Sequence, residues 1–132
     1  MTYFISGHRE ISQEEFDTLY KPIIHELACN PDNKFVVGDY WGVDEMAQTY
    51  LNSILEDKSR VTVYHMFKKP RVCVSPDFKQ KGDFLDDESR DAAMTQNSDQ
   101  DIAFVRPGKR NSGTAQNIIR RIEMKWKIKK RD

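Results

Sequence analysis

The chain has 132 residues, with 21 Lys+Arg against 21 Asp+Glu and 38% apolar residues, a length at which one domain buries its own core without a disulfide or a metal. Zero net charge excludes a protein that grips nucleic acid over its whole surface, and no apolar run approaches the ~18 residues of a membrane span. The two cysteines, Cys29 and Cys73, have no metal-ligand spacing, and free thiols point to a reducing cytoplasm.

Tyr3-Phe4-Ile5 reads as a first strand, followed by the turn-like loop Ser6-Gly7-His8-Arg9. Ser12 and Glu15 have capping-box spacing. Phe16, Leu19, Tyr20, Ile23, Ile24 and Leu27 then recur at the helical period. Pro22 falls inside that stretch and predicts a kink or a restart, because proline removes an amide and crowds the preceding turn. Phe35-Val36-Val37 is a second strand ending at Gly38, and Val43, Met46, Ala47, Tyr50, Leu51, Ile54 and Leu55 stripe a second helix. Val61-Thr62-Val63-Tyr64 is a third strand. Residues 66–87 break the rhythm and read as a lid-like connection, with Arg71-Val72-Cys73-Val74 as a short strand inside it. A helix over 88–97 follows, then a fourth strand at Ile102-Ala103-Phe104-Val105, closed by Pro107-Gly108. A basic last helix over 114–131 carries Ala115, Ile118, Ile119, Ile122 and Trp126 on one stripe. Strands alternating with helices predict one α/β domain over 1–132, a Rossmann-like open, mainly parallel sheet with helices on both faces.

Charge is segregated along the chain. Between Asp77 and Asp101 stand eight acids against Lys79, Lys81 and Arg90, and from Arg120 to Asp132 stand seven bases against Glu123 and Asp132. Bases near a helix C-terminus suit its dipole. The same tail, with Trp126 in it, offers a less favoured role in docking nucleic acid or a partner.

In a parallel α/β sheet all strand-to-helix loops share one edge, and ligands bind there at the switch in strand order. All six glycines (Gly7, Gly38, Gly42, Gly82, Gly108 and Gly113) fall in loops assigned to that edge. Ser112-Gly113-Thr114 opens the last helix, where unpaired amides suit a phosphate, and Lys109 and Arg110 beside it favour an anion. In the loop Gly38-Asp39-Tyr40-Trp41-Gly42-Val43-Asp44-Glu45 the acids suit a helix start. Asp44 could also accept ribose hydroxyls, and Tyr40 and Trp41 could stack on a base. Arg90 is expected to point toward the phosphate loop, with His8 and Arg9 supplementing it. His8, His25 and His65 are widely spaced, so neither a metal nor a cofactor is read from the sequence.

Together these loops resemble the SLOG superfamily of nucleotide-binding domains, and its YspA-like branch most. The resemblance rests on Ser6-Gly7-His8-Arg9, on Gly38-x-x-x-Gly42-x-Asp44-x-x-Ala47, on Arg90-x-x-x-Met94 and on Gly113-Thr114-Ala115. It implies a nucleotide-like ligand held by Ser6, Gly7, His8, Arg9, Gly38, Asp39, Trp41, Gly42, Asp44, Arg90, Ser112, Gly113 and Thr114, and it implies self-association. The related lonely-guy hydrolases carry a catalytic Glu three residues after the Gly-Thr turn, where this chain has Asn117. An alternative role as an N-glycosidic hydrolase or transferase on nucleoside monophosphates would therefore need another acid, with Asp44, Glu45 and Glu88 as the candidates.

Overall fold

Alternation within the strands decides which side chains meet which helices. In β1 (Thr2–Ile5) Tyr3 and Ile5 point to one face and Phe4 to the other. β2 (Lys34–Gly38) does the same with Phe35 and Val37 against Val36, and β3 (Val61–Met66) with Val61 and Val63 against Tyr64. The first face is covered by Phe16 of α1 (Gln13–Leu19), by Ile24 of α2 (Lys21–Ala28), by Tyr20 at the junction between them, and by Val43, Ala47 and Leu51 of α3 (Val43–Ile54). The second face receives Met94 of α4 (Asp87–Gln96), beside which lies α5 (Gly113–Arg131). In this computed structural model residues 1–131 are described, their side chains as far as Lys125. The expectations for Trp126 and the bases after it therefore concern side chains outside the described residues.

The sheet has five strands in the order β4-β3-β2-β1-β5, with β4 at Lys79–Phe84 and β5 at Gln100–Ile102. Every pairing is parallel. The chain is thus an α/β protein of Rossmann-like architecture, with helices on both faces of the sheet. Among the described residues no helix is long and apolar enough to cross a membrane.

Local signals explain several boundaries. Ser12 and Glu15 form the full capping box, a device worth about 1 kcal/mol. The helix stops at Leu19 and restarts at Lys21, which places Pro22 in the first turn of α2, where no amide is needed.

Two expectations are corrected. Arg71–Val74 is not a strand; the strand within 66–87 is β4, reached from β3 by a helix-free crossover over 67–78. The fourth expected strand, 102–105, pairs only at Ile102, within β5. The reason is Tyr20. Its buried hydroxyl donates to Ser6 O (2.8 Å) and accepts from Phe104 N (3.1 Å). A side chain thus takes the place of the next ladder rung, and β1 and β5 part there.

Candidate functional site

Where β1 and β5 part, the strand order also reverses, since β1 to β4 step one way across the sheet and β5 lies on the other side of β1. A cleft of about 360 Å³ opens at that point, as expected for a switch point in an open α/β sheet. Ser6, Gly7, His8 and Arg9 reach it from β1, Tyr40, Trp41 and Asp44 from β2 and α3, Arg90 from α4, and Ser112, Gly113 and Thr114 from the start of α5. Chain segments more than a hundred residues apart thus meet as the loop reading expects. Gly38, Asp39 and Gly42 lie behind this lining and support it. Glu45 faces a separate groove beside Gln13, Asp17 and Lys21. Glu88 borders a neighbouring hollow with Asn111, Gln116 and Arg120. Of the three candidate acids, only Asp44 lines the cleft.

The floor is an ion network. Arg90 is 6% exposed, and its Nη1 bonds Asp39 Oδ1 at 2.6 Å and lies 3.3 Å from Asp87 Oδ1. Its Nε and Nη2 both bond Asp91 Oδ1. Arg71, from the helix-free crossover, also pairs with Asp39 (2.9 Å) and Asp87 (2.8 Å). Arg71, Asp39, Arg90 and Asp87 therefore close a ring of alternating charge. Burial opposes ionisation of Asp39, but hydrogen bonds from the Arg71 side chain and backbone, with the charges of Arg71 and Arg90, hold its pKa below the usual value. Arg90 does line the cleft, yet its guanidinium is engaged by carboxylates rather than aimed at the Ser112-Gly113-Thr114 turn as expected. Arg71, Asp87, Asp91 and Asn117 are absent from the sequence-derived ligand set; the sequence marks Asn117 only as the residue three past the Gly-Thr turn and Asp91 only as a neighbour of Arg90, while no motif marks Arg71 or Asp87.

Asp44 sits above this ring in the first turn of α3. Its Oδ2 accepts from Tyr40 N at 3.1 Å. Burial dominates the neighbouring Arg90 and pushes its pKa up to about 7. Asp91 is also raised, by burial that Arg90 only partly offsets. Gly38 makes the close approach possible: a Cβ there would fall 2.5 Å from Asp44 Oδ2 and 3.2 Å from Arg90 Cζ.

The raised pKa of Asp44 has a sign in stability. Between the unfolded value near 3.8 and the folded value of about 7 the native state holds a proton that the unfolded chain has lost, so stability falls as pH rises through that window. Asp44→Asn keeps an acceptor for Tyr40 and removes the titration. We expect its melting temperature to exceed that of the parent at pH 8, and the gap to shrink towards pH 4. Parallel melting curves across pH 4–8 would show that Asp44 ionises as freely folded as unfolded.

Above the floor, the walls are aromatic and hydroxylic. Trp41 is 50% exposed and packs edge-on against Tyr40 at 4.7 Å. Tyr40 is itself held between Arg71, 4.4 Å over its ring, and Arg9, which bonds its hydroxyl at 3.0 Å. Opposite, Ser112 Oγ caps α5 by accepting from Ala115 N. Among the described residues the amides of Gly113 and Thr114 meet no protein acceptor. Ser6 is 5% exposed, and among the described residues its Oγ has no partner. Among the described residues no group of three His, Cys, Asp or Glu side chains is placed to hold a metal. Compared with known proteins, the chain matches no protein-family model, no curated protein and no solved structure.

Proposed function

We propose that this protein binds a nucleotide or nucleotide-derived ligand in the switch-point cleft. One observation carries the reading: the unpaired amides at the start of α5 and the unpartnered, buried Ser6 hydroxyl line the same cleft as an exposed tryptophan. Amides at a helix N-terminus and a hydroxyl suit a phosphate. Trp41 suits the face of a base, and Asp44 the hydroxyls of a ribose. The likeness of these loops to SLOG domains supports the same assignment.

Thermal-shift and calorimetric titration with nucleoside mono- and diphosphates tests it. A ligand at a hundred times its Kd adds about 2.7 kcal/mol to stability. Trp41→Ala should weaken nucleotide binding by about 1–3 kcal/mol, the value of one base-aromatic stack, and leave the ligand-free melting temperature unchanged. If no nucleotide shifts the melting curve, the reading fails.

A second reading is favoured by Asp44 alone. A carboxyl with a pKa near 7 in a cleft is poised for proton transfer, as hydrolysis of an N-glycosidic bond of a nucleoside monophosphate would need. Release of free base, abolished by Asp44→Asn and retained in Glu45→Gln and Glu88→Gln, would establish it over simple binding.

A further inference from the structure

Beyond the cleft, on the outer side of the phosphate loop, lies a second hollow of about 190 Å³ lined by His8, Arg9, Glu10, Arg106, Lys109 and Ser112. His8, Arg9 and Ser112 line both cavities, so the two adjoin beside the start of α5. Their charge differs. The cleft floor gathers Asp44, Asp87 and Asp91 around Arg90. The hollow gathers three cations against Glu10, and the Arg106 guanidinium is shared with Glu15 at 3.0 and 3.1 Å. His8 Nε2 accepts from Arg106 N at 3.0 Å. The ring is therefore neutral with its proton on Nδ1, and burial, Arg106 and Lys109 all act to keep it so. This bond also ties the β1 loop to the segment after β5 and fixes the hollow's wall.

Resting on the nucleotide reading, we propose that the ligand carries two linked phosphoryl groups. The first sits at the amides of Gly113 and Thr114, and the second sits in the hollow between Arg9, Arg106 and Lys109. A lone monophosphate at the helix start would leave this cationic wall unused, whereas a diphosphate reaches it without leaving the surface shared by His8, Arg9 and Ser112. The acidic floor sets the polarity: the sugar and base lie toward Asp44 and Trp41, and the phosphate chain runs outward.

The test is calorimetric titration of the full chain with AMP and ADP, in the parent and in Lys109→Ala. Lys109 is exposed, and an unchanged melting temperature shows that the variant folds. ADP should bind about tenfold or more tightly than AMP, the factor one charge-assisted contact supplies. Lys109→Ala should remove most of that gap, weakening ADP by a clearly larger factor than AMP. Equal affinities in the parent, or a gap that survives Lys109→Ala, would overturn the two-phosphate assignment and leave the nucleotide reading standing. Failure of both nucleotides to bind would remove that reading, and this inference with it. Lys109-dependent binding of a single-stranded oligonucleotide without ADP binding would assign the anion sites to a polynucleotide backbone and also overturn the proposal.

Discussion

Arg90→Met should destabilise the protein by about 3–5 kcal/mol, the range for breaking a buried ion pair and stranding its partners. The size comes from what remains. Asp39 is 1% exposed, and Asp44 and Asp91 lie beside it. Without the guanidinium, Asp39 keeps Arg71, while Asp91 loses both of its bonds from Arg90. Arg90→Lys should recover only part of the loss, since one ammonium cannot reproduce the fork that reaches Asp39 and Asp91 together. Urea unfolding at pH 7 measures both. The loss should shrink toward pH 4, where Asp44 and Asp91, whose pKa values are already raised by burial, take up protons. A loss of less than about 1 kcal/mol would put the ring in the class of solvent-screened surface pairs.

Gly42→Ala should cost about 3 kcal/mol or more, combining a strained backbone of roughly 1–3 kcal/mol with a steric clash. Gly42 is the N-cap of α3 at φ 80°, ψ −127°, a region open to glycine and closed to residues with a Cβ. A Cβ there would run into the carbonyl oxygens of Arg9 and His8 and come within 2.6 Å of Arg9 Cα. Those atoms are backbone and cannot swing away. The β1 loop would have to retreat, and Val43 N, which donates to His8 O at 3.3 Å, would lose its partner. Chemical denaturation gives the stability loss, and nucleotide titration gives the coupled effect, because the displaced loop lines both cavities. Wild-type stability in Gly42→Ala would mean that the loop shifts without cost.

How much of this was legible depends on burial. β1, β2 and β3 lie in the sheet interior and carry apolar runs that no other element explains. β4 is an edge strand, Lys-Gln-Lys-Gly-Asp-Phe, whose first three residues are exposed. An edge with one neighbour and little cover needs no apolar period, so the sequence around it looks like loop. β5 is hidden for a related reason: two of its three residues are Gln100 and Asp101, and the apolar residues after Ile102 pack beyond the ladder, with Phe104 edge-on to Tyr20 at 5.0 Å. The meeting of the loops after β1 and β2 with the turn before α5 follows from parallel topology and was readable, but Gly82, expected in a loop at that edge, lies within β4 against His65. The carboxylate ring was not. Its members come from the end of β2, the crossover and α4, and no spacing rule links Asp39 to Arg71 or Arg90. The segregation of charge also takes on a structural meaning. Arg121 of the basic stretch is 4% exposed and pairs with Asp101 of the acidic one at 3.1 Å, so at that point the two stretches neutralise each other inside the fold.

The strand order has a consequence for synthesis. Of the five strands of this sheet β1 precedes the others in the chain but takes an interior place between β2 and β5, and β5 comes last. A nascent chain finished only through α4 therefore has β1 as a bare edge, with one side of its ladder unpaired. Exposed strand edges recruit other chains, and incomplete chains are the species most prone to do so. The short Gln100–Ile102 segment closes that edge and supplies, through Phe104, the second partner of the Tyr20 hydroxyl. Cover for the β1 edge thus waits for β5, and completion of the cleft waits for the start of α5 behind it.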